Sequence, residues 1–154
     1  MDKHFQWMRL ALAEAEKAAV LGDVPVGAVA VQEGAVIGTG HNRKEYEHDP
    51  TAHAEITALR AAAQALQDWR LDGVTLYCTL EPCPMCAGAM VQARLSRLVW
   101  ATADPKGGAN GSLIDLFDLP GLNHRVEVIR GVLAEEAAAQ LRAFFEGLRA
   151  QGKK

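Results

Sequence analysis

The sequence predicts an α/β fold: a sheet covered by helices, with two helix amino termini facing each other. Three observations point to it. Helical periodicity runs through residues 3–21, 51–66 and 134–149. Short runs rich in β-formers, bounded by Gly, Pro and Asp, lie at 24–32, 35–40, 74–79, 98–102 and 126–130. The middle of the chain alternates strand, helix, strand, helix, the pattern of helices laid on one side of a sheet. At 154 residues the chain is long enough for one domain, 1–154, with a sizeable core.

In chain order, residues 3–21 form the first helix, with Phe5, Met8, Leu12, Ala15, Ala19 and Val20 near one stripe and Gly22 as its stop. Residues 24–32 and 35–40 pair as a hairpin across the turn Glu33-Gly34, and Gly27 marks either close packing or the approach of another group to the backbone. Residues 41–51 are polar and loop-like. Pro50 or Thr51 then starts a helix whose apolar face is Ile56, Leu59, Ala63 and Leu66. Asp72-Gly73 turns into the strand 74–79. Pro82 opens the next helix, where its missing N–H costs little. After the strand 98–102, residues 104–112 are glycine-rich without the spacing of a phosphate-binding loop. Residues 126–130 are a last strand, and 134–149 a last helix carrying Leu141, Phe144, Phe145 and Leu148. Phe144 and Phe145, being adjacent, cannot both face the core.

Composition excludes some classes. Hydrophobic residues make up 49% and charged residues 23%, ordinary for a globular domain. A net charge of -3 argues against broad, non-specific nucleic-acid binding but permits a local basic surface. The amino terminus lacks a long apolar run, so neither a signal peptide nor a membrane span is expected. Three cysteines, two of them in a C-x-x-C, suit a reducing cytoplasm.

Two segments carry the chemistry: His53-Ala54-Glu55 and Glu81-Pro82-Cys83-Pro84-Met85-Cys86. His53, Cys83 and Cys86 are donors of the kind zinc prefers, and three protein ligands leave one tetrahedral position for water. Water held there is a nucleophile near neutral pH. Glu55, two residues from His53, is placed to move that water's proton. Both segments sit at helix amino termini, where partial positive charge favours thiolate. The rival reading of the C-x-x-C is a redox pair or a structural zinc site. A structural site needs a fourth ligand, and the remaining cysteine, Cys78, falls in an alternating strand that packs it against apolar neighbours.

The arrangement H-x-E with P-C-x-x-C is the signature of zinc-dependent nucleobase deaminases. More particular stretches are Asp49-Pro50-Thr51-Ala52-His53-Ala54-Glu55-Ile56, the continuation Cys86-Ala87-Gly88-Ala89-Met90, the loop Lys106-Gly107-Gly108-Ala109-Asn110-Gly111-Ser112, Asn123-His124-Arg125 and Phe144-Phe145. Over nearly its whole length the chain resembles the bacterial tRNA-specific adenosine deaminases of the TadA type, in the cytidine and deoxycytidylate deaminase superfamily. That resemblance implies a three-layer α/β/α sandwich on a five-stranded mixed sheet, a homodimer, one Zn2+ per subunit, and deamination of adenosine to inosine at the wobble position, 34, of a tRNA anticodon loop. It implies zinc ligation by His53, Cys83 and Cys86, and proton shuttling by Glu55. Asn42 resembles a residue that hydrogen-bonds the flipped nucleotide, although an Asn there also caps turns. Val26 and Ala54 resemble pocket walls. Asp104, Lys106, Asn123, Phe145 and Arg149 resemble rim residues that hold flanking nucleotides, by stacking at Phe145 and Arg149 and by phosphate contact at Lys106. No role on DNA is expected. The alternative is a guanine or cytosine deaminase acting on a free base, for which an extended rim has no use.

Overall fold

The computed structural model describes residues 2–153. Its sheet has five strands in the order β2-β1-β3-β4-β5: β1 (Gly27–Gln32), β2 (Ala35–His41), β3 (Thr75–Leu80), β4 (Arg97–Thr102) and β5 (Glu127–Arg130). β1 runs antiparallel to both β2 and β3, while β3, β4 and β5 are mutually parallel. The helices are α1 (Asp2–Val20), α2 (Lys44–Glu47), α3 (Ala54–Leu66), α4 (Pro84–Gln92) and α5 (Ala134–Ala150).

Strand alternation divides the core in two. Ala28, Ala30, Leu76, Cys78, Leu98 and Trp100 point to one face and pack with Ala54, Ala58 and Ala62 of α3 and Cys86, Ala87 and Met90 of α4. Val29, Val31, Tyr77, Val99 and Ala101 point to the other and pack with Met8 and Ala11 of α1 and Ala137 of α5. This is the expected three-layer sandwich, and it follows from the period of two in a strand. The hairpin turn is as expected: Glu33 and Gly34 both have positive φ, 50° and 76°, the geometry whose twist matches the strands it joins.

Close helix–sheet packing depends on small residues. At Gly27 the approaching group is α1 itself, since a Cβ there would run into the backbone of Ala11 and Ala15. Gly38 and Gly40 on β2 do the same for α3. The apolar stripe of α1 is Met8, Ala11, Ala15 and Ala18, all fully buried, whereas Phe5 and Val20 are exposed. Small residues take the contact because the helix lies so close to the sheet.

Most element ends lie within a residue of the sequence expectation, and four larger differences have local causes. β1 begins at Gly27, because Pro25 has no N–H to give the ladder and Val26 N–H turns back to Val24 O at 2.8 Å. The polar stretch after β2 contains the one-turn helix α2. α3 begins at Ala54, not at Pro50 or Thr51: Asp49 Oδ1 accepts both the N–H and the hydroxyl of Thr51 at 2.8 Å, holding that segment as a turn. α4 begins at Pro84, not Pro82, because a residue before proline is kept extended, and Cys83 has φ -75° and ψ 172°.

Candidate active site

His53 and Cys83 occupy equivalent places: each is the extended residue that opens a helix, α3 and α4 respectively. The two helices flank β3 in sequence and cover the same face of the sheet, so their first turns meet. His53 Nδ1 lies 3.6 Å from Cys83 Sγ and 3.5 Å from Cys86 Sγ. Zinc bonds of about 2.05 Å to nitrogen and 2.3 Å to sulfur at a tetrahedral angle set those atoms about 3.5 Å apart. The donor set and its spacing are therefore consistent with zinc. It is the one such group of three or more potential ligands among the described residues. Cys78, fully buried on β3, lies outside this group, so no fourth thiolate closes it.

Electrostatics at the three donors describe one shared proton system. Cys83 is drawn down to about 4, first by the hydrogen bond from Cys86, against the opposing effect of burial, then by that from His53. Cys86 is pushed far up because it donates to Cys83. His53 is raised by its hydrogen bond to Cys83, against burial. One thiolate thus collects protons from its two neighbours, and an incoming cation would displace them.

Glu55, in the first turn of α3, is 3% exposed. Burial pushes its carboxyl up to about 7, with its own backbone N–H and His53 acting in the opposite direction. A carboxyl that titrates near neutrality can both take and give a proton near neutral pH. The Cys78 thiol is held well above its usual range by burial and by its neighbour Glu55, so it stays protonated.

These groups open into a cavity of about 160 Å³ lined by Val24, Val26, Asn42, Lys44, His53, Glu55, Leu80, Glu81, Cys83 and Asp104. It is small enough to admit one extruded group rather than a stacked segment. Asn42 Oδ1 accepts the Ala54 N–H at 2.9 Å. It thereby caps α3 in place of His53, whose imidazole faces the thiols, and its amide hydrogens are left without a protein partner among the described residues. Asn42 thus does cap a backbone group, and the same side chain faces the cavity.

Of the other residues expected here, Val26 and Asp104 line the cavity and Ala54 adjoins it at the start of α3. Lys106 is exposed on the following loop, its N–H bonded to Asp104 Oδ1 at 3.2 Å. Asn123, Phe145 and Arg149 are not brought into the cavity. Phe145 is exposed and meets the half-buried Phe144 edge to face at 5.5 Å, so the two do not both face the core.

Two residues of the cavity wall, Lys44 and Glu81, and a third, Asp23, next in the chain to the lining residue Val24, carry weight that sequence reasoning missed. Lys44 stands on α2 at the mouth. Asp23, 1% exposed, accepts the N–H groups of Glu45 at 3.0 Å and Tyr46 at 3.1 Å, so a distant carboxylate caps α2 and fixes Lys44. Glu81, also 1% exposed, gathers the 104–112 loop. The single available signal was an acidic residue inside an otherwise apolar stretch, Leu80-Glu81-Pro82. A wider apolar groove lies between α3 and α4, lined by Ile56, Leu59, Ala63, Trp69, Ala89 and Ala93, and it offers no ligand or nucleophile.

The MafB19-like deaminase model matches residues 2–149. The chain is 48% identical over 147 residues to the tRNA-specific adenosine deaminase of Bacillus subtilis, covering 96% of this chain and 91% of that one. It is 50% identical to that of Haemophilus influenzae over 147 residues, 95% of this chain and 85% of the other. A solved structure from studies of A-to-I editing by tRNA:A34 deaminases superposes with TM-score 0.85 at 45% identity, covering 88% of this chain and 98% of that chain. A guanine deaminase from Nitrosomonas europaea superposes with TM-score 0.78 at 25% identity, covering 91% and 83%.

Proposed function

Because this chain belongs to the MafB19-like deaminase family, among the tRNA-specific adenosine deaminases, we propose that it converts adenosine to inosine at the wobble position of a tRNA anticodon. The observation that carries this reading is the meeting of His53, Cys83 and Cys86 beside a buried Glu55 in a cavity sized for one extruded base. One zinc ion per subunit, held by the three donors, supplies Lewis-acid activation of water when bound.

The chain's own residues do the rest. Glu55 takes a proton from the attacking water and gives it to adenine N1 as oxygen bonds to C6. It then takes the second proton to the amino group, the C6–N bond breaks, and ammonia leaves. A carboxyl poised near pH 7 suits a group that must accept and donate in one turnover. Val26 and Ala54 wall the base, and Asn42 offers it amide hydrogens while its oxygen stays on α3. Asp104 and Lys106 meet the flanking nucleotides at the rim, with Asn123, Phe145 and Arg149 engaging bases farther along the loop. An anticodon loop suits such a site because its bases leave the stack at low cost.

The functional unit is a homodimer in this reading. Support comes from the apolar groove between α3 and α4 and from Trp69, 59% exposed at its edge. A cytoplasmic setting fits a tRNA-modifying enzyme. No helix among the described residues is long and apolar enough to cross a membrane.

The test is ammonia release from an anticodon stem-loop with adenosine at the wobble position, against free guanine and cytosine, with metal content measured in parallel. Turnover of the stem-loop alone is expected. Turnover of a free base with none of the RNA would establish the small-molecule alternative instead.

A further inference from the structure

The Glu81 carboxylate receives four hydrogen bonds from the loop that follows β4. Oε1 accepts the Asp104 N–H at 3.0 Å and the Ser112 hydroxyl. Oε2 accepts the Asn110 N–H at 2.8 Å and the Ser112 N–H at 3.2 Å. The loop closes on it so tightly that a Cβ on Gly108 would collide with the carboxylate. The same loop is tied to the metal-donor segment through Ala109 N–H and Pro82 O at 2.7 Å. On its outer side, Asn110 Oδ1 accepts from Trp100 Nε1 at 2.8 Å and from Arg130 Nε at 3.2 Å.

Glu81 stands between β3 and Cys83, so a residue adjoining the metal donors also fixes the rim. Asp104 lines the cavity and organises the next turn, its Oδ1 accepting the N–H groups of Lys106 and Gly107 at 3.2 Å. We propose that Glu81 is a positioning residue that holds Asp104 and Lys106 in place to grip the substrate beside the extruded base, with both of its oxygens committed to the loop and neither to substrate. Its effect on substrate rests on the wobble-adenosine reading above. Its effect on the loop does not.

The carboxamide variant separates the two oxygens. In Glu81→Gln the NH2 group settles best at the Oε1 position, because the Ser112 hydroxyl can turn to accept from it whereas two N–H groups face Oε2. The Asp104 N–H then loses its acceptor while Asn110 N–H keeps one. Amide hydrogen exchange on the full chain should show Asp104 losing protection at least tenfold, with Asn110 and the β3 amides unchanged. With the stem-loop as substrate, KM should rise about tenfold, kcat should stay within about twofold, and metal content should not change. Should Glu81→Gln fail to fold, Ser112→Ala, at an exposed residue, removes the hydroxyl bond alone and should raise KM about threefold at constant kcat. An Asp104 amide as protected as in the parent overturns the proposal. So does a fall in kcat at unchanged KM. A parent protein inactive on the stem-loop would refute the substrate reading and leave the exchange measurement to decide on Glu81.

Discussion

Replacing Gly40 by alanine tests whether the distance between β2 and α3 sets the metal site. A Cβ on Gly40 would lie 2.9 Å from Ala58 N and from Thr57 Cβ, and closer still to Ala54 O. Ordinary contact begins at 3.4 Å, so Thr57 and Ala58 must withdraw by about 0.5 Å and Ala54, the first residue of α3, by about 1 Å. The atoms in the way are backbone and a short side chain, with no flexible end that can swing aside. His53 opens this helix, and a metal site tolerates about 0.2 Å in its ligand distances. Overpacking should therefore cost about 1–3 kcal/mol of stability, read from urea unfolding. Zinc affinity, read by competition with a chelator, should fall about 10–100-fold, the loss usual when a ligand's support is disturbed. Gly88→Ala is the matched control: it lies within α4 with nothing near its would-be Cβ, and should stabilise by about 0.5–1 kcal/mol without touching metal affinity. A Gly40→Ala protein that binds zinc as tightly as the parent would refute the argument that this glycine sets the position of His53.

Three further outcomes are expected. Glu55→Gln should abolish ammonia release while folding and metal content are retained, since the amide fills the same buried space but cannot carry a proton; loss of metal would make Glu55 structural. Asp23→Ala removes both acceptors from the first turn of α2 and should destabilise by about 2 kcal/mol in chemical denaturation; an unchanged midpoint would show that α2 stands without its cap. Lys106→Ala should weaken stem-loop binding more at low salt than at high salt, as for a side chain that meets a phosphate, and a loss independent of salt would remove it from that role.

Much of the site is legible in the sequence, for a reason of range. His53 and Glu55 are two residues apart and Cys83 and Cys86 three, so local geometry alone places each pair at one helix end. Donor chemistry then names the ion they suit, and the strand and helix periods name the fold class. The same reach explains why the hairpin at Glu33-Gly34 was readable.

What only the tertiary structure decided spans longer separations. Asp23 caps a helix begun at Lys44, Asn42 caps one begun at Ala54, and Glu81 gathers amides as far away as Ser112. Each is an ordinary polar residue in sequence, and its role depends on which loop the packed sheet brings within 3 Å or so of it. Gly27, Gly38 and Gly40 likewise matter because whole helices descend onto them. Residue type and spacing thus determined the reactive groups, whereas how they are held, and what stands around the cavity, depends on contacts that exist only once the layers have closed.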